Sequence, residues 1–183
     1  MIIWLASYPK SGNTWLRMFL KSYFLKPEEK FSLEGSALDT FKPSGFPDEK
    51  TMEDLKVNYH KFEEIVKNWE PMQDYINLNN QTNFLKTHNA MCTVGSYKFT
   101  SHKNTKGAIY IVRDPRDVLV SFSHHYGLNY EQTFGAMSSP YACEYPTSGS
   151  KNYKKAIMGT WSNHYNSWKK YNTCKILIIR YED

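Results

Sequence analysis

Apolar residues follow two rhythms along this chain. Ile2-Ile3-Trp4-Leu5-Ala6 is a continuous apolar run that breaks at Pro9, the pattern of a strand buried on both faces. Past a Lys-Ser-Gly turn the rhythm changes. Trp15, Phe19 and Tyr23 fall at i, i+4 and i+8 with Leu16, Leu20 and Phe24 beside them, which predicts a helix with a wide apolar face. Residues 26–50, rich in Pro, Gly, Lys and Glu, read as a loop. Thr51 with Asp54 three residues on reads as an N-cap in a capping-box variant, and Leu55, Tyr59, Phe62, Val66 and Trp69 continue at helical spacing. Residues 82–85 predict a short strand running into Lys86-Thr87-His88, and residues 108–112 a clear buried strand. Asp114 can cap the next helix, with Pro115 at its first position and Asp117 in its first turn. Residues 127–152, with Pro140, Pro146 and Gly149, read as loop-rich; residues 153–171, with Trp161, Tyr165 and Trp168, as a helix; and residues 176–179 as a last buried strand.

Strands alternating with helices predict an α/β fold with a mainly parallel central sheet flanked by helices. Ligand sites in such sheets lie at the carboxyl ends of strands. Lys10, His88 and Arg113 each follow a predicted strand end, so the fold can bring them together although they are far apart in sequence.

Bulk composition narrows the chemistry. The chain has 183 residues, enough for one domain with a real core. A net charge of +5 favours anionic ligands, but without an arginine-rich tail or an RNA-binding signature it does not argue for nucleic acid. Cys92, Cys143 and Cys174 are odd in number and widely spaced; they form neither a disulfide framework nor a zinc motif and fit a reducing, cytoplasmic compartment. No apolar stretch approaches a membrane span, and the apolar start lacks the basic flank of a signal peptide. Oligomeric state is not readable.

The turn after the first strand carries the sharpest signal. A strand leading through a tight turn into a helix aims backbone N–H groups and a helix N-terminus at one point, which makes an anion site. Lys10 adds a mobile charge, and Ser11, Asn13 and Thr14 add hydrogen-bonding side chains. The nucleotide-binding pattern G-x-x-x-x-G-K-[ST] is not met, because there is one Gly, Gly12, and Lys10 precedes it. The His124-His125 pair reads as a helix end rather than a metal site, and no metal-ligand cluster is visible.

Taken together, the segments resemble the PAPS-dependent sulfotransferases along nearly the whole chain. Tyr8-Pro9-Lys10-Ser11-Gly12-Asn13-Thr14-Trp15 is similar to their 5′-phosphosulfate loop, with Asn13 where Thr is common in the animal enzymes. Lys86-Thr87-His88 is similar to their catalytic segment, and Arg113-Asp114-Pro115-Arg116-Asp117-Val118-Leu119-Val120-Ser121 to their 3′-phosphate motif. The stretch from Trp161 to Trp168 and Arg180-Tyr181-Glu182-Asp183 follow in the family's order. The resemblance implies a P-loop-like three-layer fold and transfer of a sulfuryl group from PAPS to a small-molecule hydroxyl or amine, releasing PAP and needing no metal. It implies His88 as base, Lys10 at the leaving oxygen and Lys86 beside them. It implies Lys10 to Trp15, Arg113, Ser121 and Tyr181 as the nucleotide contacts, with Trp15 and Tyr181 at the adenine. It also implies a further C-terminal portion with an Arg-Lys-Gly loop, so a single domain truncated after Asp183 is expected. A non-catalytic nucleotide-binding remnant and a P-loop nucleotide kinase are the alternatives. Residues 26–80 and 127–155 are expected to line the acceptor pocket, without a code that identifies the acceptor.

Overall fold

A computed structural model describes residues 1–24, 44–145 and 156–183. Strand β1 (Ile2–Ser7) leads into α1 (Asn13–Tyr23). After it come β2 (Ser44–Gly45), α2 (Glu49–Asp54), α3 (Phe62–Lys67), α4 (Trp69–Asn77) and β3 (Asn83–Thr87). A small hairpin of β4 (Thr93–Val94) and β5 (Tyr97–Lys98) precedes β6 (Thr105–Val112). The chain continues through α5 (Pro115–Tyr126), α6 (Tyr130–Ser138), β7 (Cys143–Glu144), β8 (Ala156–Ile157), α7 (Trp161–Lys169) and β9 (Lys175–Arg180).

The central sheet has the order β2-β3-β1-β6-β9, with every pairing parallel. Trp4 lies opposite Leu85 on one side and Ala108 on the other. Strand alternation then divides β1 between two cores. Ile2, Trp4 and Ala6 pack with Met52, Ile65, Trp69, Phe99 and Trp168; Leu5 packs with Leu16, Leu20 and Ile111 on the opposite face. Helices therefore cover both faces, giving the expected three layers. The buried Trp4 indole donates to Thr105 Oγ1 at 2.8 Å.

Several expected elements are corrected. Asp48, not Thr51, caps the helix there, its carboxylate accepting from the Thr51 backbone N–H at 3.0 Å. The periodic stretch from Leu55 to Trp69 is not one helix. The backbone turns left-handed at Lys56 (φ 55), and Asn58 Oδ1 accepts from the His60 N–H, so α2 ends and α3 starts afresh. In α1 the Trp15, Phe19, Tyr23 stripe faces outward, with Trp15 52% and Phe19 54% exposed, while Leu16 and Leu20 are the buried pair. Residues 127–152 include α6, started by a reciprocal capping box between Asn129 and Gln132. The expected helix at 153–171 begins only at Trp161, capped by Thr160. Strand β9 is not a buried strand: it sits at the end of the sheet order, with Leu177 57% exposed. The expected loop at 26–50 and that at 127–152 lie outside the described residues over 26–43 and 146–152, as does 153–155 of the expected helix. No helix among the described residues is long and apolar enough to cross a membrane.

Candidate functional site

Three adjacent strands set the site. In the order β3-β1-β6, each strand runs the same way, and each is followed at its carboxyl end by one of the basic residues singled out above: His88, Lys10 and Arg113. The three loops open on one cleft of about 440 Å³. Its walls include Lys10, Gly12, Asn13, Thr14, Trp15, Lys86, His88, Arg113, Ser121 and Tyr181, all expected from the sequence. Ser11 is the exception. It is buried beneath the loop, and its backbone N–H closes a turn onto the Tyr8 carbonyl at 3.3 Å, so it is not one of the free cradle amides.

Sequence explains the shape of the first loop. Lys10 takes a left-handed conformation (φ 67) and Gly12 another (φ 98), which reverses the chain into α1. No side chain caps α1, so its first amides are left for a ligand. Asn13 anchors the loop through Nδ2 to the Leu5 carbonyl at 2.9 Å. Gly12 is required twice over. A Cβ there would lie 2.4 Å from Tyr181 Cδ2, and non-glycine residues pay about 1–2 kcal/mol for left-handed backbone. Gly12→Ala is expected to lower Tm by roughly 3–8 °C for a chain of this size and to displace the Tyr181 ring. Calorimetric melting checks it, and an unchanged Tm would mean the loop relaxes freely.

On the β6 side, Asp114 accepts from the Arg116 N–H at 2.8 Å and Pro115 occupies the first helical position, as expected. The Arg116 guanidinium holds the Asp114 carboxyl down at about 2. Arg113 lies with its guanidinium carbon 4.6 Å from the Tyr181 ring centroid and its Nε 3.9 Å from Asp117, without hydrogen-bonding it. Trp15 stacks on Phe19 and meets Tyr181 edge-on at 6.4 Å.

On the β3 side, His88 Nδ1 is 2.7 Å from the Ser7 carbonyl. A carbonyl only accepts, so Nδ1 carries the proton and the neutral ring presents its lone pair at Nε2. Glu144 Oε1 lies 3.9 Å from that Nε2 and 3.4 Å from Lys86 Nζ. Glu144, Arg17, His125 and Tyr126 also line the cleft and were not anticipated. Glu144 reaches it through the β7–β8 hairpin, a pairing that no local motif announces. Arg17 sits one turn into α1 from Asn13, a helical spacing that could have pointed to it. Burial lowers the Arg17 pKa and pushes Tyr126 up to about 12. A second, more apolar cavity of about 770 Å³ adjoins, sharing His125, Tyr126 and Glu144 with the first and continuing to Phe122, Leu128 and Met158. Part of the expected acceptor-lining sequence, 26–43 and 146–155, lies outside the described residues.

The polar atoms ask for a polar ligand. Of the described residues that line the cleft, Asn13, Arg17 and Arg113 have a buried polar atom without a hydrogen-bond partner, at Oδ1, Nε and Nε, a costly arrangement unless something binds there. An uncapped helix start with the strand-end cations Lys10 and Arg113 beside it fits a polyanion with two separate anionic groups.

Comparison with known proteins agrees with that chemistry. A family model described as "Sulfotransferase domain" matches residues 2–183. The chain is 28% identical over 189 aligned positions to a protein named luciferin sulfotransferase from Photinus pyralis. The alignment covers 97% of this chain and 45% of that protein, so the chain spans about half the length of the curated relative.

Proposed function

The chain belongs to the sulfotransferase domain family, and from that premise we propose that it moves a sulfuryl group from PAPS to a hydroxyl or amine of a small-molecule acceptor. One observation carries this reading: the strand-end loops bearing Lys10, His88 and Arg113 share a cleft edged by unpartnered buried polar atoms. PAPS supplies the activated sulfuryl group and the diphosphate leaving group. The amides opening α1 and Lys10 hold its 5′-phosphosulfate end. Arg113, whose planar fork suits a phosphate, and Ser121 on α5 hold its 3′-phosphate. Trp15 and Tyr181 flank the adenine. His88 accepts the acceptor's proton at Nε2. Lys10 places a cation where negative charge grows on the departing oxygen, which favours the transition state over the ground state, with Lys86 contributing from β3. The adjoining apolar cavity supports a largely apolar acceptor. In this reading residues 1–183 act as one domain in a cytoplasmic setting, which the lack of a disulfide among Cys92, Cys143 and Cys174 supports.

The test is transfer of radiolabel from [³⁵S]PAPS to a panel of phenols, aliphatic alcohols and amines, with calorimetry of 3′,5′-ADP against ATP–Mg²⁺. Labelled product and selective 3′,5′-ADP binding are expected. Tighter ATP–Mg²⁺ binding without transfer would return the chain to the kinase alternative. Binding without transfer to any acceptor would leave the non-catalytic one. Arg113→Lys keeps the charge and loses the fork, so 3′,5′-ADP is expected to bind about five- to tenfold more weakly, roughly 1 kcal/mol. An unchanged Kd would remove Arg113 from the 3′-phosphate site.

A further inference from the structure

Helix α7 grips the loop that carries His88. His164 Nε2 lies 3.0 Å from the His88 carbonyl oxygen, the Trp168 indole donates to the Asn89 carbonyl at 3.0 Å, and the Met91 N–H donates to Ser167 Oγ at 3.0 Å. One face of one helix thus holds the backbone at three points within four residues of the loop. His164 is fully buried and forms the link to the rest of the site. Because the His88 carbonyl can only accept, Nε2 of His164 bears the proton. Nδ1 of the neutral ring then accepts from the Tyr110 hydroxyl at 2.8 Å. Tyr110 stands on β6, which pairs with β1, and lies opposite Ala6 there. The Tyr8 ring, two residues before Lys10, meets the His164 ring edge-on at 5.4 Å. One imidazole therefore touches the loop of Lys10, the strand that leads to Arg113, and the backbone of His88 itself.

We propose that His164 is a positioning residue: by donating to the His88 carbonyl while braced on Tyr110 and Tyr8, it fixes where His88 sits relative to the Lys10 loop. The proposal rests on the sulfotransferase reading for its effect on rate, but not for its effect on the His88 ring. Displacement of a reacting group by about 1 Å can cost up to about 100-fold in rate, and the α7 contacts oppose such a shift in the His88 loop. No residue of α7 lines the cleft, so His164 acts on the chemistry through the elements it holds, and its one hydrogen bond to a cleft residue is to His88.

The experiment pairs His164→Phe, which keeps a ring and removes both nitrogens, with His164→Gln, whose side-chain amide can again donate towards the His88 carbonyl. The expected result for His164→Phe is a cooperative melt, 3′,5′-ADP affinity within about twofold, a moved His88 side-chain NMR resonance, and kcat down by about 10- to 100-fold. His164→Gln is expected to restore the resonance and most of kcat. A His88 resonance unmoved in His164→Phe overturns the proposal, as does kcat within about threefold of the parent. Equal loss in both variants also overturns it, since the restored donor should matter. Should His164→Phe fail to fold, Tyr110→Phe removes only the brace. A moved His88 resonance there supports the proposal and an unmoved one overturns it. If no acceptor is sulfated at all, the resonance and nucleotide affinity still decide the positioning claim on their own.

Discussion

Replacing His88 by Ala is expected to lower kcat by about 10²–10⁴ while leaving 3′,5′-ADP affinity nearly unchanged. The factor is the range for a positioned acid–base group, and the split follows from geometry. The Ser7 carbonyl fixes the Nδ1 proton at 2.7 Å, which commits Nε2 to accept a proton. The uncapped α1 and Arg113, which the nucleotide would occupy, stand on the other two loops. Steady-state kinetics on the best acceptor, with calorimetry on the same protein, checks both halves. Near-normal turnover would pass the role of base to Glu144, whose carboxylate is 3.9 Å from Nε2.

The second large effect is on stability in acid. Burial lowers the pKa of His164 from 6.5 to about 4, despite the opposing pull of its bond to the His88 carbonyl. In the unfolded chain the imidazole takes up a proton near pH 6.5; in the folded protein it does so only near pH 4. Between those values only the unfolded state gains the proton, so stability must fall as pH descends through the window and level off below it. A lowering of this size corresponds to about 3 kcal/mol between pH 7 and pH 4. Asp114, held at about 2, titrates below this range and does not mimic it. Urea unfolding at stepped pH, in the parent and in His164→Gln, isolates the contribution. If the two curves stay parallel from pH 7 to pH 4, the ring takes up its proton as readily in the folded state as in the unfolded one, and burial does not lower its pKa.

What the sequence made legible was what local chemistry dictates. The run from Ile2 to Ala6 could only be an inner strand, and Asp114-Pro115 could only open a helix. Lys10, His88 and Arg113 followed from their places after strand ends. Periodicity misled where it was followed alone. The spacing from Leu55 to Trp69 is helical throughout, yet the chain turns at Lys56 and Asn58, and neither Gly nor Pro marks the spot. Trp15, Phe19 and Tyr23 recur like a core stripe, yet the sheet is covered by the shorter Leu16 and Leu20. Helix α6 was legible and missed, since Asn129 and Gln132 spell its capping box. Glu144 was not legible by any local rule. The short β7–β8 pairing brings it to Lys86, 58 positions away in the chain.

The Tyr181 ring fills the space that Gly12 leaves open and lies under Arg113. Among the residues lining the cleft, Tyr181 comes last in the chain. Growing from the ribosome, the protein makes Lys10, His88 and Arg113 long before it makes that wall. The wall is set only when β9 docks on β6, a pairing of high sequence separation relative to the first loop. A nascent or partly unfolded chain therefore carries Lys10, Lys86 and Arg113 before the described cleft has its closed form. If the cleft binds a nucleotide, capture would then report on whether β9 is in place on β6.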